Sequence, residues 1–225
     1  MTPQLPDLSP FFVRYEKQRA EADALFEAVR SRYPDLVVCR EGCSSCCHAL
    51  FDLTLVEALY LSGAFREFFD GAERFRLQDL AGSVDRRIAK VKRQVFKDSQ
   101  AGKNSNEILT EVAGILVRCP LLGDDNRCLM YDARPITCRL YGIPTAIGGK
   151  AHTCGLTGFK SGEAYPTVAL DKVQARLVTL SEELAAALKS SYSQLASMYV
   201  PVSSALITDY TAEYLGVNGF RRKED

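Results

Sequence analysis

Eight cysteines in a chain that can bury a core without cross-links are the strongest constraint here. Four of them fall in nine residues, as Cys39-x3-Cys43-x2-Cys46-Cys47. The other four follow as Cys119-x8-Cys128-x9-Cys138-x15-Cys154. Hydrophobic residues make up 47% of the 225, enough for a sizeable core without staples. Cysteines in such a chain read as metal ligands before they read as disulfides, provided the compartment is reducing. Residues 1–10 show no cationic and apolar leader pattern, and no apolar run approaches the ~18 residues of a membrane span. The expectation is a cytoplasmic protein that does not enter a membrane.

Thiolates are soft ligands, suited to zinc and to iron–sulfur clusters. The expected cofactor is therefore an iron–sulfur cluster or zinc. The candidate ligands are Cys39, Cys43, Cys46, Cys47, Cys119, Cys128, Cys138 and Cys154. Eight sulfurs suffice for two four-cysteine sites, or for one cluster with ligands to spare. The adjacent Cys46 and Cys47 diverge in both extended and helical backbone. They are expected to face different ligand sets, unless one is a free or redox thiol. His48 and His152 read as structural or exposed rather than as ligands. The spacing leans toward iron–sulfur, because the zinc-knuckle Cys-x2-Cys step occurs once, at Cys43 and Cys46, and Cys119 precedes a proline.

Outside the cysteines the chain reads as helix. Phe12, Tyr15, Ala22, Leu25, Phe26 and Val29 recur at helical spacing up to Pro34. Thr54 and Glu57 form a capping box, and Ser62-Gly63 is expected to break or bend the helix that follows. Leu77, Leu80, Val84, Ile88, Val91 and Val95 make one stripe; Val173, Leu177, Leu180, Leu184, Leu188, Tyr192 and Leu195 make another. Residues 101–106 read as a loop, residues 107–116 as a short helix, and the last five residues as a frayed tail. Turn residues crowd 118–162, where Gly148-Gly149 joins two segments into a small hairpin. The predicted fold class is mainly α: a helical scaffold with an irregular cysteine-rich metal-binding knot. A single domain is expected over 1–225, with a metal-binding core at 39–154 flanked by helical segments 8–34 and 163–215.

The sequence CREGCSSCC, then Cys119-Pro120, Cys128, Tyr131, Arg134-Pro135, Cys138-Arg139 and Tyr141, resembles the CxxCxxCC (YkgJ-like) family of zinc- or iron-chelating proteins, which is related to flagellin lysine N-methylases. The resemblance spans about residues 39–154 and implies metal chelation by the cysteines. Around them, Asp132 and Arg134 are expected to pair, and Pro135 to keep Cys138 out of a helix. Arg134, Arg139 and Tyr141 are candidates for the shell around the metal, with the arginines donating to sulfur.

Lys+Arg and Asp+Glu each number 28, which argues against non-specific nucleic-acid binding. Three functions compete: a metal-binding protein, a cluster-dependent protein N-methyltransferase, and a zinc-stapled module for a protein partner. The spacing of Cys39, Cys43 and Cys46 matches that of radical S-adenosylmethionine enzymes. Ser45 stands where those enzymes carry an aromatic, and no strand–helix alternation follows.

Overall fold

The computed structural model describes residues 4–217 except 41, 105, 106, 109, 110 and 113. Helix α1 spans Ser9–Arg32, opens with Pro10 in its first turn and ends before Pro34. Tyr15, Ala22 and Val29 are its buried face; Leu25, expected in the same stripe, is exposed.

Helix α2 (Leu55–Phe68) is the centre of the fold. Leu55, Val56, Ala58, Leu59, Leu61 and Phe65 are all buried, and a helix apolar on nearly every side has to be covered on every side. Its capping box is formed: Glu57 Oε2 accepts the Thr54 N–H at 3.1 Å and the Thr54 hydroxyl at 3.0 Å. The next free amide, Val56 N–H, donates to Ser181 Oγ at 3.2 Å. Contrary to expectation, Ser62-Gly63 neither breaks nor ends α2. Ser62 is buried, and its hydroxyl accepts from Arg66 one turn on, so packing holds the helix through the glycine.

Helix α3 (Gly71–Gln100) buries Leu77, Ala81 and Ile88. Leu80 is exposed, so the stripe runs through Ala81 instead. The predicted helix over 107–116 falls partly outside the described residues, as does the 101–106 loop; the tail lies wholly outside them.

Helix α4 (Ile136–Leu140) is short and carries Cys138. Helix α5 (Leu170–Leu188) buries Val173, Leu177, Leu180, Leu184 and Leu188 against α2. It stops at Lys189, which takes a left-handed conformation (φ 50°). The expected stripe therefore breaks there, and Leu195 is buried from a separate 3-10 turn. Helix α6 (Val202–Ile207) packs on α2 and α3.

Strand is sparse. β1 (Asp52–Leu53) pairs antiparallel with β5 (Val200–Pro201). β2 (Thr145–Ile147) pairs antiparallel with β3 (Lys150–His152) and parallel with β4 (Val168–Ala169). The β2–β3 turn is Gly148-Gly149, both at positive φ (56° and 74°), as a tight two-residue hairpin turn requires. The mainly helical expectation and its small hairpin both hold.

Glu57 does more than cap α2. Its second oxygen accepts the Ile136 N–H at 3.3 Å, so one buried carboxylate holds the N-termini of both α2 and α4. Removing it orphans buried donors, and Glu57→Ala is expected to cost about 2–3 kcal/mol in urea unfolding. Burial raises the Glu57 pKa above its ordinary 4.5, although the bonds from Thr54 and Ile136 pull it down. A folded state that holds the proton more tightly is favoured at low pH, and that contribution fades as pH rises through the raised value. The stability of wild type relative to Glu57→Gln is thus expected to fall as pH rises above about 4.5. A difference independent of pH across that window would contradict this.

Candidate metal centre

Four separate stretches of chain deliver the thiols. The first runs from Val37, which is buried, through a turn closed by Cys43 N–H to Arg40 O at 2.9 Å. It ends in a 3-10 turn, Ser45–His48. His48 Nδ1 lies 3.0 Å from Ser44 O, so that ring nitrogen is engaged with its own turn. His152 is exposed on β3.

The second stretch lies directly against the first. Cys119 N–H donates to Cys47 O at 2.7 Å, and Val117 N–H to His48 O at 3.1 Å. The chain then doubles back. Gly123 N–H donates to Arg127 O at 2.8 Å and Leu129 N–H to Leu121 O at 2.9 Å, with Asn126 at positive φ in the bend. Leu122 bridges Cys128, which returns Cys128 to the neighbourhood of Cys119. The turn residues at 123–126 thus fold one cysteine over another.

The third stretch is α4. Pro135 is its N-cap residue, and Cys138 lies within the helix. The expectation that Pro135 keeps Cys138 out of a helix is overturned. Proline's fixed φ and missing N–H suit a helix start, where the amide has no intrahelical partner. The fourth stretch follows β3: Cys154 O accepts from the Thr157 hydroxyl at 2.8 Å, and Gly158 N–H donates to Leu36 O at 2.9 Å. That tie brings buried Cys154 alongside the segment of Cys39.

All eight cysteines are free thiols. Cys46 and Cys47 sit with their Sγ atoms 4.0 Å apart. Two thiolates on one tetrahedral zinc, with Zn–S ~2.3 Å, stand roughly 3.8 Å apart. Adjacency therefore does not keep these sulfurs from one another, because the 3-10 turn draws them together. Cys46 and Cys138 also line a common cavity.

The charges report the same neighbourhoods. Burial pushes Cys39 up to about 12, and the neighbouring sulfurs of Cys43, Cys46 and Cys154 add to the rise. Burial likewise pushes Cys119 up to about 12, with Cys128 and Cys46 contributing. Cys47 is raised first by its bond to Cys46 and then by burial. Cys138 is raised by its bond to Cys46, by burial, and by Cys119 and Cys128. Cys46 alone is pulled down, by hydrogen bonds from Cys138 and Cys47 and by the nearby charge of Arg134. It is the point where the sulfurs converge.

Among the described residues, no three His, Cys, Asp or Glu side chains already encircle one point as a metal requires. The donor set nonetheless fits zinc or an iron–sulfur cluster: clustered soft thiols, no disulfide, and no competing carboxylate among the groups that shift them. Ligation then replaces thiol protons by metal and draws the sulfurs together.

The surrounding residues divide. Arg134 lies over the Tyr131 ring, 3.6 Å from its centroid, and donates from Nε to Tyr131 O at 3.0 Å. Its charge helps to pull Cys46 down and offsets part of the burial that raises Cys128. The expected pairing with Asp132 is replaced by these contacts, and Asp132 acts through its backbone carbonyl. Arg139 is buried, and its donors go to Asp23, Asp132 O and Arg134 O rather than to sulfur. It braces α4 against α1. Tyr141 O lies 3.7 Å from Cys39 Sγ, within reach of its thiol hydrogen. The next residue, Gly142, has φ 106°, and a Cβ there would meet Cys39 Sγ at 3.0 Å. Sequence reasoning misses Glu57 as the holder of α4, Asp23 as the partner of Arg139, and Gly142 as the wall behind Cys39. None carries a local signal, since each acts on a residue far along the chain.

Arg139→Ala leaves Asp23 without its partner and takes a donor from the Arg134 carbonyl, while the Asp132 carbonyl keeps its bond from Arg19. With Asp23 partly exposed, the cost is expected near the low end for a broken pair, about 2–3 kcal/mol. Arg139→Lys should recover little of it, since an ammonium cannot span three acceptors as the guanidinium fork does. Thermal and urea unfolding of both variants would check this, and a full rescue by lysine would contradict it.

Residues 38–155, just over half of the chain and inclusive of all eight cysteines, match the CxxCxxCC family, described as a "Putative zinc- or iron-chelating domain". No curated protein and no solved structure matches the chain. The thiol cluster and the motif order agree with that match, and the chain belongs to the CxxCxxCC family of zinc- or iron-chelating domains.

Proposed function

We propose that this chain holds an iron–sulfur cluster or a zinc ion on thiolates at the convergence of its first three cysteine-bearing stretches. Cys47, Cys119, Cys128 and Cys138 are the ligands. One observation carries the reading: Cys46, Cys47, Cys119, Cys128 and Cys138, drawn from three stretches of chain, come together around one point of the core. All five sulfurs line a small cavity of about 50 Å³, walled by Leu61, Ile88, Val117 and Met130 of the core.

A metal there stitches α4 and the 119–128 bend to the 3-10 turn. A cluster adds one-electron chemistry, and zinc adds only the staple. Arg134 balances the thiolate charge, and Glu57 and Arg139 fix the helix that brings Cys138. Free thiols in this number suit a reducing compartment such as the cytoplasm.

The protein-partner reading loses support. It calls for an exposed apolar stripe, whereas Val173, Leu177, Leu180, Leu184 and Leu188 of α5 are buried; α3 buries Leu77 and Ile88 of its stripe and leaves Leu80 exposed.

Elemental analysis and a visible spectrum on anaerobically purified protein test the proposal. Iron with sulfide and a brown colour identify a cluster, and zinc without colour identifies the staple. Metal-free protein with eight titratable thiols refutes both. Cys119→Ser is expected to lose this metal and, for a loss of about 3 kcal/mol, to melt roughly 10 °C lower.

A further inference from the structure

We infer that the chain carries a second thiolate centre, made by Cys39, Cys43, Cys46 and Cys154 and abutting the first at the Cys46–Cys47 step. This rests on the metal-binding reading above and extends it from one site to two.

The order of cysteines along the chain suggests one group at 39–47 and another at 119–154. The fold deals them differently. Cys154, last in sequence, follows the β2–β3 hairpin. The Gly158–Leu36 hydrogen bond (2.9 Å) sets its loop beside the segment of chain leading to Cys39. Cys39 in turn is seated by two neighbours. Tyr141 O stands 3.7 Å from its sulfur, and Gly142 comes so close that any side chain there would strike it. Cys39, Cys43 and Cys46 line a second cavity of about 330 Å³ together with Arg40 and Tyr141, and Cys138, the partner of Cys46, borders both cavities. Cys154 lines the adjoining cleft together with Tyr141 and Gly142, the two residues that seat Cys39.

Counting thiols decides between one centre and two. Five sulfurs gather on the side of Cys119, one more than a tetrahedral metal takes. Three gather on the side of Cys39, one fewer. Cys46 and Cys138 border both cavities; Cys46 shares its stretch of chain with Cys39 and Cys43, and assigning it to the second completes four and four. The 4.0 Å separation of Cys46 and Cys47 would by itself suit a shared metal. Their different remaining neighbours place them on either side of a common wall. Each thiol that ligates gives its proton to solvent, so no oxidant or reductant is involved.

Cobalt(II) titration of anaerobically prepared metal-free protein tests this, because thiolate-to-cobalt absorption counts sites whichever metal is native. Wild type is expected to saturate at two equivalents. Cys39→Ser/Cys43→Ser is expected to saturate at one, with the absorption of the remaining site and the far-UV circular dichroism retained. Should the double variant fail to fold, Cys154→Ser is expected to give the same loss. Saturation of wild type at one equivalent that survives Cys39→Ser/Cys43→Ser would overturn the second centre and leave the first standing. A single equivalent lost in that variant would overturn the division into four and four. No cobalt bound at all would overturn the metal-binding reading itself.

Discussion

The buried carboxylate of Glu57 is the contact on which the arrangement turns. It ties the start of α2, the most deeply covered helix, to the start of α4, which brings Cys138 to the other sulfurs. A charge so placed is costly to bury, and its pKa rises accordingly. What offsets the cost is the set of donors it satisfies, each of which would otherwise be stranded in an apolar core. Arg139 repeats the device from the other side of α4, joining it to Asp23 of α1. A short helix of five residues has little stability of its own. These two ionic anchors, with apolar packing of Ile136 and Leu140, give it a fixed position.

Much of this is legible in the sequence, wherever the signal is local. The capping box at Thr54 and Glu57, the glycine turn at 148–149 and the apolar run from Val173 to Leu188 are each written within a few residues. Each appears in the structure. The departures share one cause. Ser62-Gly63 resembles a break because propensity is a weak prior, and the covering of α2 by α5 and α6 overrides it. Leu80 resembles core because a six-residue stripe does not show which of two adjacent apolar positions its partner covers. Pro135 resembles a barrier to helix, whereas its place at the helix entrance makes it a start signal.

The site shows the same division. That the chain belongs to a metal-chelating family is plain from the number and spacing of its cysteines. How they are shared is not, because the sharing depends on contacts such as Gly158 to Leu36 and Ile136 to Glu57, which join distant parts of the chain. Arg139 illustrates the limit. Its proximity to a cysteine suggests a donor to sulfur, and only the fold reveals that an aspartate on α1 takes it instead.

The distance along the chain between sulfurs and their supports has a kinetic meaning. Cys39 rests on a carbonyl 102 residues later, and α4 hangs from a glutamate 79 residues earlier. Contacts of such separation form late, after local helices have closed shorter loops. The thiols of the first stretch leave the ribosome long before their companions exist. During that interval they are a compact, accessible quartet, open to oxidation or to capture of the wrong ion. The architecture therefore makes correct metal loading a matter of timing as much as of affinity, with the completed fold, rather than the opening motif, as the gate.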